Sequence, residues 1–171
     1  VTAGADDGSG AARHRTGLIV GRFDPPHLGH SYMIDRAAAR CDHLVVFVNS
    51  STRRDAVPGA LRARWLADLH PAVRVEEVRH QLATDFDDED LWAQWMELFR
   101  AHWPHGDGPD AVFSSDPYVD ELARRFGAAA VVVDADRSNV PVSATMIRED
   151  PARHLEFVAP DVRAWIEQNW L

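Results

Sequence analysis

The sequence predicts a doubly wound α/β domain, a parallel five-stranded sheet with helices on both faces and more helices at its C-terminal end. Three observations point there. Five short apolar runs, rich in valine and nearly unbroken, read as strands buried on both faces of a parallel sheet. Helically patterned stretches separate them, in the order βαβαβαβαβ followed by helices. At 171 residues, with no internal repeat and no linker-like stretch, the chain fits one domain with a substantial core.

Each element has its own signal. The opening VTAGADDGSGAARHR, residues 1–15, is small, polar and glycine-rich and is expected to be a disordered tail ahead of a single domain over residues 16–171. The first strand is expected over 17–21, where Leu18, Ile19 and Val20 run between two glycines. The turn GRFDPPHLGH follows, shaped by Gly21, Pro25 and Pro26, and leads into a helix over 29–40. A second strand over 43–49, a helix over 60–69 and a third strand over 73–78 come next. A helix over 90–103 ends in the loop WPHGDGPD, before a fourth strand over 111–114. A helix over 118–126 and a fifth strand over 129–134 complete the sheet. Beyond it, Ser143 is a good N-cap for a short helix, and a longer helix covers 160–170.

Composition narrows the function. A formal net charge of −9 argues against a nucleic-acid partner bound through a broad basic surface. No apolar stretch is long enough to span a bilayer and no signal-peptide pattern opens the chain, so no membrane partner is expected. The one cysteine, Cys41, reads as a packing residue and suits a reducing, cytoplasmic setting. The chain has no lysine, so any cationic role falls to arginine.

In a sheet of this kind ligands collect at the carboxyl ends of the strands, where the strand order reverses. The segments after strands one, four and five should therefore face one crevice. The first holds His27 and His30 at a helix start, where unpaired N–H groups and the positive end of the dipole favour an anion. Three residues apart, the two imidazoles can point outward together and donate to phosphate oxygens. A pair of surface histidines and an i,i+3 metal site are the alternatives, the latter without an obvious third ligand nearby. Gly29 lets a ligand or backbone come close.

The whole stretch GRFDPPHLGH resembles the signature Gly-x-Phe-x-Pro-x-His-x-Gly-His of the nucleotidylyltransferase superfamily. That resemblance implies a Rossmann-like nucleotidylyltransferase fold and makes His27 and His30 contacts of a nucleoside triphosphate. It extends to Gly21, Arg22, Phe23, Asp24 and Gly29 as the ATP-binding turn, Asp24 being otherwise a turn-former. A second segment, VDADRSNVPVSATMIRED, places Thr145 and Arg148 three apart on the helix that Ser143 caps. Arg148 there is either a solvated surface charge or a permanent cation for a triphosphate tail. VSATMIR is similar to the family's Ile-Ser-x-Thr-x-Ile-Arg, with Val142 at the isoleucine position, and this favours the second reading. Asp136 and Arg137 match the Asp-Arg ahead of that motif, and Ser114 and Ser115 match a Ser-Ser/Gly-x-Pro segment on the adenosine side.

The middle of the chain resembles nicotinamide mononucleotide adenylyltransferases, both the adenylyltransferase domain of the bifunctional ribosylnicotinamide kinase type and the archaeal type. Trp92, preceded by Asp90 in DLWAQWMELF, matches the tryptophan set against the pyridine ring; Trp92 and Trp95 are otherwise core residues at helical spacing. Arg62 in ALRARWL matches an arginine near the substrate phosphates and is otherwise an exposed helix charge. Many superfamily members place a lysine after strand two, where this chain offers Arg53 and Arg54. Kinase and DNA-binding segments are absent from the pattern, so adenylyl transfer alone is expected.

The resemblance implies ATP and nicotinamide mononucleotide as substrates, NAD and pyrophosphate as products, and Mg²⁺ carried by the nucleotide phosphates with no protein metal site. It also implies homo-oligomers, although nothing in the sequence marks an interface. Transfer from ATP or CTP to nicotinate mononucleotide, phosphopantetheine or a phospho-alcohol, and a non-catalytic nucleotide sensor, are the rivals.

Overall fold

The structure is a computed structural model that describes residues 12–171. Most of the expected tail, residues 1–11, lies outside the described residues. Strand β1 (His14–Gly21) begins three residues before the expected strand start at Gly17, because His14 pairs in register with Cys41 at the start of β2 (Cys41–Ser50). His14 and Arg15 are therefore strand residues, contrary to the tail reading.

Between β1 and β2 lies α1 (Leu28–Ala38); α2 (Gly59–Leu69) leads to β3 (Arg74–Arg79) and α3 (Glu89–His102) to β4 (Ala111–Ser114). After α4 (Val119–Phe126) and β5 (Ala129–Val132) come α5 (Ala144–Glu149), two 3-10 turns at Pro151–Arg153 and Leu155–Phe157, and α6 (Pro160–Asn169). The five strands are parallel, as the valine-rich runs predict, and lie in the order β3-β2-β1-β4-β5. β5 ends at Val132, two residues early, and Asp134 turns the chain with φ 49°.

Alternation along the strands divides the core between the two faces. Leu18, Val20, Val45 and Phe47 pack against Trp92, Met96 and Phe99 of α3 and Leu122 of α4. Ile19, Val46, Val48 and Phe113 pack against Met33 and Ile34 of α1 and Leu66 of α2. Each such side chain, fully buried, stabilises the fold by about 1.5–3 kcal/mol. Gly17 is dictated by this packing: a Cβ there would lie 2.4 Å from Cys41 Sγ and 2.8 Å from the Phe113 ring. Cys41 is buried, and desolvation pushes its thiol up to about 11, which fits packing. At the amino end of β1 and β4, Asp110 accepts from Thr16 N and Oγ1, while Asp110 N donates back to Thr16 Oγ1 at 3.0 Å.

A third cluster joins Val57 and Trp65 to Val142, Ile147, Val162 and Ile166. It fastens the C-terminal helices and so delivers α5 to the carboxyl end of the sheet. Among the described residues no helix is long and apolar enough to cross a membrane.

Candidate active site

Strand order reverses between β1 and β4, and a crevice of about 400 Å³ opens at their carboxyl ends. One wall is the turn after β1. Phe23 takes φ 52°, and a cis bond joins Asp24 to Pro25 ahead of α1. The Asp24 carboxylate is buried and accepts from Ala56 N at 2.8 Å and Val57 N at 2.9 Å, fixing this turn to the β2–α2 loop.

His27 caps α1. Its Nδ1 accepts from Gly29 N at 3.1 Å and His30 N at 3.3 Å, while His30 Nδ1 accepts from His27 N at 3.2 Å. Two of the first N–H groups of the helix, those of Gly29 and His30, are thus occupied by the cap rather than left open for an anion. The donor moves outward instead. With Nδ1 accepting, each neutral ring carries its proton on Nε2. His27 Nε2 is buried and has no partner among the described residues. The rings stack at 3.6 Å between centroids, and Phe23 meets His30 edge-on at 4.7 Å. A Cβ on Gly29 would lie 2.9 Å from His27 Cε1, so only glycine lets the ring lie there.

Both rings resist protonation. Desolvation, aided by the Arg137 charge, lowers His27 to about 3; desolvation, then His27 and Arg137, lowers His30 well below its ordinary 6.5. The unfolded chain takes up these protons near pH 6.5 and the folded chain does not. Stability therefore falls as pH drops from 6.5 towards 3. A His27→Asn variant, which can still cap, should lose stability less steeply over that window when urea midpoints are compared at pH 7 and pH 5.

The opposite wall is α5. Ser143 Oγ accepts from Met146 N at 3.2 Å, as expected of an N-cap. Arg148 donates to the Asp24 carbonyl and, at 3.2 Å, to Thr145 Oγ1. Two segments 124 residues apart in sequence thereby share a hydrogen bond. Arg137, also with positive φ, donates to the Val142 carbonyl at 3.0 Å and stands 3.7 Å from Asp116. The crevice therefore gathers Arg22, Arg137 and Arg148 in a chain of net charge −9.

The expected residues mostly converge. Gly21, Arg22, Phe23, Asp24, Gly29 and both histidines line the crevice; so do Ser114, Ser115, Arg137, Ser143, Thr145 and Arg148. Trp92 and Trp95 line it from α3, their ring N–H groups donating to the Phe86 and Ala83 carbonyls. Arg125, which is not part of the lining, stands 4.6 Å from the Trp92 ring centroid.

Three expected contacts do not reach the crevice. Arg62 is fully buried: Nε donates to Val57 O at 2.9 Å, Nη1 to the Arg22 and Asn49 carbonyls, and Nη2 to Asp55. Its guanidinium ties the end of β2 to the loops that follow β1 and β2 and has no free face for a substrate phosphate. Asp90 is exposed in the first turn of α3, where it suits the helix dipole. Asp136 is exposed, its carboxylate accepting from Ser138 N at 3.1 Å within a tight turn. Neither Arg53 nor Arg54 lines the crevice.

The sequence reading missed Asn49, Phe86 and Tyr118, all in the lining. Phe86 is 56% exposed and stacks on Tyr118 at 6.4 Å. The usable signals were a lone aromatic in the acidic run TDFDDED, and a polar residue closing an apolar strand at its carboxyl end.

The chain is a doubly wound α/β domain whose switch-point crevice is walled by neutral imidazoles and guanidinium groups. The chain belongs to the cytidylyltransferase-like family, which matches residues 18–150. It is 26% identical over 165 residues to the trifunctional NAD biosynthesis/regulator protein NadR of Escherichia coli K12, covering 86% of this chain but only 39% of that protein. It is 28% identical over 157 residues to the nicotinamide-nucleotide adenylyltransferase of Methanoculleus marisnigri, covering 81% of this chain and 83% of that one. Among solved structures, a NadR protein in complex with NAD and AMP-PNP has the same fold, with a TM-score of 0.64 at 23% identity over 86% of this chain and 45% of that chain.

Proposed function

We propose that the chain is a nucleotidylyltransferase that transfers the adenylyl group of ATP to nicotinamide mononucleotide, giving NAD and pyrophosphate. One observation carries the reading: Arg148 bonds to the turn that holds His27 and His30, so their donors and its charge face one crevice. The relatives' names and the aromatic α3 wall support the choice of acceptor.

The ATP triphosphate lies along this cationic wall. The Nε2–H groups of His27 and His30, the donors left by the Nδ1 cap bonds, donate to its phosphate oxygens. The phosphate oxygen of nicotinamide mononucleotide attacks the α-phosphorus in line; the bond to the bridging oxygen breaks and pyrophosphate leaves with the electron pair. Arg148 and the imidazoles offset the charge that moves onto the leaving group. No protein nucleophile is needed, since positioning and charge neutralisation lower the barrier. Magnesium would neutralise and orient the phosphates. A metal carried by the nucleotide fits the buried Asp24 carboxylate of the lining, whose oxygens already accept from two backbone N–H groups.

Pyrophosphate release should be measured with ATP and CTP against nicotinamide mononucleotide, phosphopantetheine and phospho-alcohols. Release only with ATP and the pyridine nucleotide is expected; release only with another pair, or none, overturns the reading. Trp92→Ala should raise KM for nicotinamide mononucleotide about tenfold and leave that for ATP nearly unchanged, as expected if a ring stacks on a cationic heterocycle. Equal effects on both would assign Trp92 to packing.

A further inference from the structure

We propose that the side-chain oxygen of Asn49 accepts a hydrogen bond from the acceptor's carboxamide and so makes the site prefer the amide pyridine nucleotide to its acid. The proposal rests on the function given above and assigns a residue to a choice that function leaves open. Five buried side-chain nitrogen or oxygen atoms have no hydrogen-bond partner among the described residues. Two belong to residues that line the crevice, His27 Nε2 and Asn49 Oδ1. Glu76 and Glu77 account for two others, and each of these carboxylates is paired through its second oxygen. A buried acceptor without a partner is costly, and at a ligand site it marks the place of a donor.

The position of Asn49 says which part of the ligand that donor belongs to. It lies at the carboxyl end of β2, opposite Val78 of β3. Alternation puts it on the same face as Val45 and Phe47, which is the face that α3 covers. Phe47 meets Phe99 at 5.9 Å, Phe99 meets Trp95 at 5.4 Å, and Asn49 is the next residue on that face. It therefore adjoins the aromatic wall proposed for the pyridine ring. Its backbone is held independently, the carbonyl accepting from Arg62 at 3.2 Å. A carboxamide brings an N–H₂ donor to Oδ1. A carboxylate brings only lone pairs, so it leaves the oxygen unpaired and adds repulsion.

The test compares kcat/KM for nicotinamide and nicotinate mononucleotides at saturating ATP in the wild type, Asn49→Ala and Asn49→Asp. The wild type should favour the amide. Asn49→Ala should cut the amide-to-acid ratio about tenfold, mainly by losing the amide. Asn49→Asp, which keeps acceptor oxygens and adds a negative charge, should keep or raise the ratio. An unchanged ratio in Asn49→Ala overturns the assignment, as do equal losses on both substrates, which would point to a ribose hydroxyl. A wild type that prefers the acid overturns it too, because the side chain would then present its amide nitrogen. These results leave adenylyl transfer standing; a wild type inactive on both pyridine nucleotides removes the function and the assignment together.

Discussion

Substituting His30 with alanine is expected to lower kcat by about 10²–10³-fold, the usual cost of one preorganised donor to developing oxyanion charge. The fold should survive. His30 contributes half of a reciprocal cap, accepting from His27 N, while His27 still holds Gly29 N and His30 N. Losing half a cap costs about 1 kcal/mol, which lowers the thermal midpoint by about 2–4 °C in a chain this long. Pyrophosphate release and a thermal melt on the same preparation separate the two effects. Near-wild-type turnover would mean that the rings only shape the turn. A collapsed melt would make the activity loss uninformative, and Arg148→Gln, outside the cap, would then carry the test.

Replacing Arg62 with methionine is expected to produce the largest stability loss, about 3–5 kcal/mol, the cost of leaving buried charges without their partner. The guanidinium is wholly enclosed, bonded to Asp55 and 3.9 Å from the buried Asp24. Desolvation lowers its pKa, and Asp55 and Asp24 offset this in part. The thermal midpoint should fall by about 10 °C. Arg62→Lys should recover little, since one ammonium cannot reach four acceptors spread over two loops and the end of β2. If Arg62→Met melted normally and only raised KM, the arginine would be a substrate contact after all.

The reading of Arg62 shows where sequence reasoning ends. His27, His30, Ser143 and Arg148 were legible because their chemistry is local: a cap, a tight turn and a motif each sit within ten residues. The partners of Arg62 range from Arg22 to Val57, and nothing in ALRARWL reveals that they close over it. Asp90 and Asp136 looked like ligands because each sits beside a motif residue, yet one serves a helix start and the other a turn. The succession of strands and helices followed from alternating apolar and helical runs. The extra residues of β1 did not, since His14 and Arg15 carry no apolar signal and are extended only because β2 lies beside them. Asn49 needed the register: only once Phe47 is seen against α3 does its own face follow.

Because every positive side chain in the crevice is a guanidinium, its charge persists through the alkaline range in which an ammonium would begin to fade. Acetyl donors that silence amines find no side chain on this protein to modify.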